Sequence, residues 1–168
     1  PCAYGADASG QQDSANSINR CIEKNKGSNI VFYPGRYIVN SPINTPFSEN
    51  ERVNIDFNDS WIVANAQMDY LLGIGGNEEK SSGLANTART FFRNGNLLNT
   101  ENNANVGVFL NDYYKNANLE SMNIEYFNIG VEVCARGVAP SDMAITDCMI
   151  RNNKTNDLTT IGIQVNGT

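Results

Sequence analysis

The 168 residues carry 12 basic and 18 acidic side chains, a net charge of −6, with 40% hydrophobic and 18% charged residues. That length supports one sizeable core, the acidic balance lacks the basic footprint of a nucleic-acid binder and argues against an anionic membrane, and no apolar run approaches the ~20 residues of a spanning helix. The sequence has no histidine, which removes Ser-His-Asp and Cys-His nucleophilic catalysis, histidine-ligated zinc and any histidine base, so chemistry falls to carboxylates, Lys, Arg or Tyr.

In chain order, residues 1–10 read as an extended, glycine-bearing segment, Tyr4-Gly5-Ala6-Asp7-Ala8-Ser9-Gly10. Asp13 or Ser14 is placed to cap a helix over 14–25, in which Ala15, Ile18, Cys21 and Ile22 fall on one face and which Gly27 stops. Asn29-Ile30-Val31-Phe32 predicts a strand, Tyr33-Pro34-Gly35 a turn and Arg36-Tyr37-Ile38-Val39 a second strand. Over 51–65, Val53, Ile55 and Phe57 alternate inward, a bend is expected at Asn58-Asp59, and Trp61 and Ile62 follow it. Residues 75–90 read as a polar loop, either a solvated excursion or part of a binding face.

From there the chain repeats itself. Asn105-Val106-Gly107-Val108-Phe109-Leu110 returns as Asn128-Ile129-Gly130-Val131-Glu132-Val133 and as Thr160-Ile161-Gly162-Ile163-Gln164-Val165, with Leu72-Gly73-Ile74 resembling a truncated earlier copy. A second phrase runs Phe92-x-x-Gly95-x-Leu97, Leu119-x-x-Met122-x-Ile124, Ile145-x-x-Cys148-x-Ile150, with starts 27 and 26 residues apart. Short alternating strands recurring at such intervals are a solenoid signature, since one unit cannot bury its inward face without stacked neighbours. Helical repeats would need longer windows at 3.6 spacing, which are missing after residue 30, and a β-sandwich lacks a reason for the repeat. The expected fold is therefore all-β, a parallel β-helix, with 1–28 as an extended segment and capping helix and 29–168 as rungs. The 27 asparagines fit side-chain ladders between stacked strands and left-handed turns.

The opening carries a resemblance. Tyr4-Gly5-Ala6-Asp7, a glycine, Asp13, an amphipathic helix and Ile30-Val31-Phe32-Tyr33-Pro34-Gly35-Arg36-Tyr37-Ile38-Val39 together resemble the start of right-handed β-helices of the pectate-lyase superfamily. The branch they resemble most includes bacteriophage tailspikes and capsule depolymerases. The chain departs from that branch in keeping one acidic residue before the helix and one proline before Gly35. The match covers about 40 residues. It implies binding and depolymerisation of a bacterial surface polysaccharide, a homotrimer, and a place on the virion; a secreted lyase or hydrolase and a non-catalytic adhesion stalk are the alternatives.

Stacking would bring side chains into columns one strand spacing, ~4.8 Å, apart. One is Phe109, Glu132, Gln164; another is Leu98, Glu125, Arg151, where Glu125 and Arg151 read as a surface ion pair. Glu120 aligns with Thr146 and Ser121 with Asp147, so Glu120 and Asp147 come within one step at a bend. Glycosidic hydrolysis uses two carboxylates ~5–5.5 Å apart for retention or ~6.5–9.5 Å for inversion, and neighbouring or next-neighbour strands supply both spacings. Glu132, Glu120 and Asp147 are the catalytic candidates. Phe109, Tyr113, Tyr114 and Gln164 are the substrate-binding candidates, the aromatics offering flat faces to sugar rings. An outward glutamate on a strand is otherwise a solubility residue. No aspartate cluster matches a calcium-dependent lyase, so no metal or cofactor is expected. Cys2, Cys21, Cys134 and Cys148 show no metal spacing and are expected to be free thiols, Cys148 at an inward position.

Three sequons, beginning at Asn58, Asn153 and Asn166, are close to the chance number for so much asparagine. The chain starts at Pro1 without Met or a signal-like segment, and stops directly after a strand at Asn166-Gly167-Thr168. A solenoid ending bare would leave an open core and unpaired edges, so a piece of a longer protein is expected.

Overall fold

The computed structural model describes residues 1–45, 53–75, 90–101, 103–110, 117–135, 143–151 and 160–167. The chain opens on a short 3-10 turn, Cys2–Tyr4, where an extended segment was expected, and then forms an α-helix, α1 (Ala15–Lys24), whose buried face is Ala15, Ile18, Cys21 and Ile22, as the periodicity predicts. Asp13 does the capping: its Oδ1 accepts from Ala15 N and Asn40 N, both at 3.0 Å. Ser14 instead accepts from Asp7 N through its Oγ at 2.9 Å. The helix ends at Asn25, whose Nδ2 donates back to the Cys21 carbonyl, and Gly27 follows in the left-handed region.

Among the described residues twelve strands follow: β1 (Asn29–Val31), β2 (Arg36–Val39), β3 (Ile43–Thr45), β4 (Asn54–Ala64), β5 (Met68–Ile74), β6 (Thr90–Asn99), β7 (Ala104–Leu110), β8 (Ala117–Glu125), β9 (Ile129–Ala135), β10 (Ala144–Thr146), β11 (Met149–Arg151) and β12 (Ile161–Gly167). They build an all-β fold of two parallel sheets. The larger runs β1-β4-β6-β8-β10, with β2 also on β4 and β11 also on β8; the smaller runs β3-β5-β7-β9-β12. From β3 to β9 the chain alternates between the sheets, so consecutive strands never pair. Parallel pairing demands a crossover, and here the crossover from each strand to its partner passes through the other sheet.

The register matches the second repeated phrase residue for residue. Phe92 pairs Leu119, Gly95 pairs Met122 and Leu97 pairs Ile124; Ile145 then pairs Leu119 and Ile150 pairs Ile124. In the smaller sheet Val108 pairs Val131, Phe109 pairs Glu132 and Gln164 pairs Glu132. The earlier copy is displaced: Gly73 pairs Phe109 and Leu72 pairs Val108, so Leu72-Gly73-Ile74 sits two places from the alignment its glycine suggested.

β4, β6 and β8 each bend in mid-strand. Asn58 and Asp59, Asn94 and Ser121 have φ of 49°, 58°, 54° and 52°, and Asp147, between β10 and β11, has 52°. Short polar side chains tolerate this left-handed conformation best, so the expected bend at Asn58-Asp59 is a column of bends. Inside it Ile55, Phe57, Ile62, Phe92, Leu97, Leu119, Met122 and Ile124 are buried, and Phe57 packs on Phe32 with ring centres 5.0 Å apart. Asparagine pairs bridge successive strands and turns: Asn54 to Asn29 at 2.9 Å, Asn65 to Asn40 at 2.8 Å, Asn123 to Asn96 at 2.8 Å and Asn128 to Asn105 at 3.0 Å.

Candidate functional site

The bend fixes which side chains share the face just before it. Val31 pairs Asp56, Asp56 pairs Arg93, Arg93 pairs Glu120 and Glu120 pairs Thr146, one column across β1, β4, β6, β8 and β10. One column over run Asn29, Asn54, Phe91 and Asn118. A groove of about 310 Å³ lies along these strands, lined by Val31, Asn54, Asp56, Phe91, Arg93 and Glu120 among others.

The groove's charges alternate. Asp56 Oδ2 accepts from Arg93 Nε at 3.0 Å, and Oδ1 accepts from Asn58 N at 2.9 Å and Asn94 Nδ2 at 3.1 Å. Three donors, one cationic, thus surround the Asp56 carboxylate. Glu120 lies one strand further, half-buried, and its carboxylate takes no hydrogen bond among the described residues. Two strand spacings separate Asp56 from Glu120, roughly 9–10 Å between their backbones. Asp147 follows Thr146, Glu120's partner, so the expected neighbourhood of Glu120 and Asp147 is present at the bend, with Asp147 exposed. The thiol of Cys148 registers both: burial pushes it above its usual value, and the Asp147 and Glu120 carboxylates add to the shift. A thiol held protonated in this way is a poor nucleophile. Cys148 is half-buried, less enclosed than its expected inward position.

The remaining candidates lie on the smaller sheet. Phe109, Glu132 and Gln164 form the expected column, each half-buried. Gln164 Nε2 donates to Asn166 Oδ1 at 2.8 Å, and Asn166 Nδ2 donates to Glu132 Oε1 at 2.7 Å. Phe109 stacks on Tyr70 with ring centres 5.2 Å apart and planes 18° apart. Tyr113 and Tyr114 lie outside the described residues. The catalytic candidates thus divide, Glu120 with Asp147 on one sheet and Glu132 on the other. Glu125 and Arg151 do pair at 2.9 Å, but the expectation of a surface pair fails on one side: the Glu125 side chain is 5% exposed. Val63 and Leu98 precede it in the same column, so Glu125 continues an apolar row.

Sequence reasoning missed Asp56, Arg93 and Phe91. Arg93 follows Phe92 as Glu120 follows Leu119, so the repeated phrase already placed Arg93 beside Glu120. Asp56 was hidden because β4 carries two extra residues at its bend, between Asp56 and Ser60. Among the described residues no group of three acidic or sulfur side chains is gathered to hold a metal ion, and no helix is long and apolar enough to cross a membrane. Cys2, Cys21 and Cys148 are free thiols.

No protein family matches this chain, and no curated protein matches it. Among solved structures it is similar to a "putative glycosyl hydrolase" from Parabacteroides merdae, at 17% identity and a TM-score of 0.43, over 96% of this chain and 98% of that one. A likeness of that size carries no argument about fold or reaction, which rest on the register and side chains above.

Proposed function

We propose that the two sheets are faces of a right-handed parallel β-helix, and that the groove along its larger sheet binds and hydrolyses a polysaccharide. The Asp56–Arg93–Glu120 column carries this reading: two carboxylates two strands apart in a groove, held in unlike environments. Asp56, held by three donors, serves as the carboxylate that directs water. Glu120, half-buried and unengaged, serves as the general acid that protonates the leaving oxygen. A separation of two strand spacings suits the wider, inverting arrangement better than the retaining one. Asp147 stands beside Glu120, while Phe91 and Val31 offer apolar surface to sugar rings. The resemblance of residues 4–39 to tailspikes and depolymerases supports a bacterial capsule or O-antigen as the polymer, action at the bacterial surface from a virion, and a homotrimer; a secreted enzyme would use the same groove.

One observation favours a second reading. Asp56 already accepts three hydrogen bonds, so the groove could bind polysaccharide without cleaving it, as a stalk or adhesion module does. Incubation with a panel of capsular and O-antigen polysaccharides, read for new reducing ends and for unsaturated-product absorbance, separates the readings. Reducing ends without absorbance, lost in Glu120→Gln, support hydrolysis in this groove. Absorbance would move the chemistry to elimination, and binding with no product from any polymer would leave the binding module.

A further inference from the structure

We infer that Tyr33 and Trp61 form an aromatic sugar-binding surface that extends the groove past the bend, each ring stacking on a pyranose of the bound polymer. The inference rests on the proposed polysaccharide groove and names residues beyond it. Along the first strand Asn29, Val31 and Tyr33 point out while Ile30 and Phe32 are buried, so Tyr33 continues the side whose Val31 already lines the groove. Trp61 lies just beyond the bend of β4, paired with Arg36 and Asn96. These two are the exposed aromatics among the described residues, at 70% and 37%, beside Val31 at 59%.

Their backbone is held firmly although their rings are open. The Tyr33 carbonyl accepts from Tyr37 Oη at 2.6 Å and from Ser60 Oγ at 3.2 Å, and both donors are fully buried. Trp61 N donates to the Gly35 carbonyl at 2.9 Å. A backbone anchored this way need not be ordered when the polymer binds. Exposed apolar side chains of this size, on segments joined by backbone hydrogen bonds, suit a binding surface. Asn58 and Asp59, exposed at the bend between them, supply polar groups to sugar hydroxyls, the mixture of flat apolar faces and hydrogen-bonding groups that a pyranose ring presents in mirror image.

Trp61 is the sole tryptophan, so its fluorescence reports on this surface alone. The test titrates the full chain with cellohexaose, polygalacturonate hexamer and oligosaccharides released by acid from several bacterial capsules. A saturable emission change with at least one of them is expected, with Trp61→Phe keeping the affinity and Trp61→Ala or Tyr33→Ala weakening it about tenfold. Silence of Trp61 across the panel, or binding by calorimetry that both alanine variants leave unchanged, would overturn the inference. So would an emission shift that tracks protein concentration without sugar, which would make the surface a contact between copies. Glu120→Gln separates the two readings. If it stops cleavage while Trp61 still responds, both hold; cleavage with a silent Trp61 sinks only this surface, and a responding Trp61 without cleavage in wild type sinks only hydrolysis.

Discussion

Arg93 donates through Nε to Asp56 at 3.0 Å, and the next residue in their column is Glu120. With Arg93 52% and Asp56 21% exposed, such a pair contributes only about 0–1 kcal/mol to stability. In the proposed groove it fixes the Asp56 carboxylate in place and leaves Glu120 unengaged. Arg93→Gln is therefore expected to leave the melting temperature nearly unchanged and to raise KM and lower kcat together. Glu120→Gln is expected to lower kcat by about 10²–10⁴-fold without unfolding. Thermal melts beside progress curves check both, and a large melting shift in Arg93→Gln would make the pair structural instead.

The stacking of this protein was legible because its signal is local and repeated. Phe92, Leu119 and Ile145 recur at nearly constant intervals, and the sheet aligns them. What the sequence could not resolve is phase over short copies. Strand side chains alternate with period two, so a slip of two residues keeps every side chain on its own face; Leu72-Gly73-Ile74 was mis-set by that amount with no conflict in pattern. The Asp56–Arg93 contact was hidden for another reason. It spans 37 residues, across an interrupted register and residues 75–90, where no repeat sets the count. Burial of Glu125 was illegible too, since a charged outward position on a strand reads as surface until Val63 and Leu98 are seen in its column.

The repeated glycines differ in what they tolerate. A Cβ on Gly130 would lie 2.2 Å from the Ile150 side chain and 2.7 Å from the Gly162 carbonyl, whereas one on Gly162 meets nothing within 4 Å. Gly130→Ala is expected to cost about 1–3 kcal/mol by overpacking, and Gly162→Ala to lie within about 0.5 kcal/mol of wild type. Urea melts of the two variants test the column directly. Equal effects would mean the sheets do not approach at Gly130.

Glu125 is buried to 5% and its partner Arg151 only to 45% exposure, so the two ends of this pair are unequal. Removing Arg151 strands a carboxylate that water reaches poorly. Arg151→Met is expected to cost about 1–3 kcal/mol, the penalty of an unsatisfied buried group, and Glu125→Gln combined with it to recover part of the loss. A double-mutant cycle from chemical denaturation reads the coupling. Additive losses would show that Glu125 finds another donor.

Asp7 ties the loop behind the aromatic surface. Its carboxylate accepts from Ser9 Oγ and N and from Gln11 and Gln12 N, and these hydrogen bonds, the Ser9 hydroxyl's first, hold its pKa down from 3.8 to about 2. The folded pKa lies below the unfolded one, so the stability it confers is complete above 3.8 and is lost as pH falls from there through about 2. The loop reaches the turn that presents Tyr33: Arg36 N donates to the Ala8 carbonyl at 2.8 Å, and a Cβ on Gly35 would lie 2.4 Å from that same oxygen. Asp7→Asn is expected to be less stable than wild type at neutral pH and to converge with it at the acid end, since protonation removes from wild type what the substitution removes permanently. Trp61, whose N bonds to Gly35, is expected to show the loosening as an emission change in the same pH window. Parallel curves at all pH values would mean that Asp7 orders its own loop and nothing beyond it.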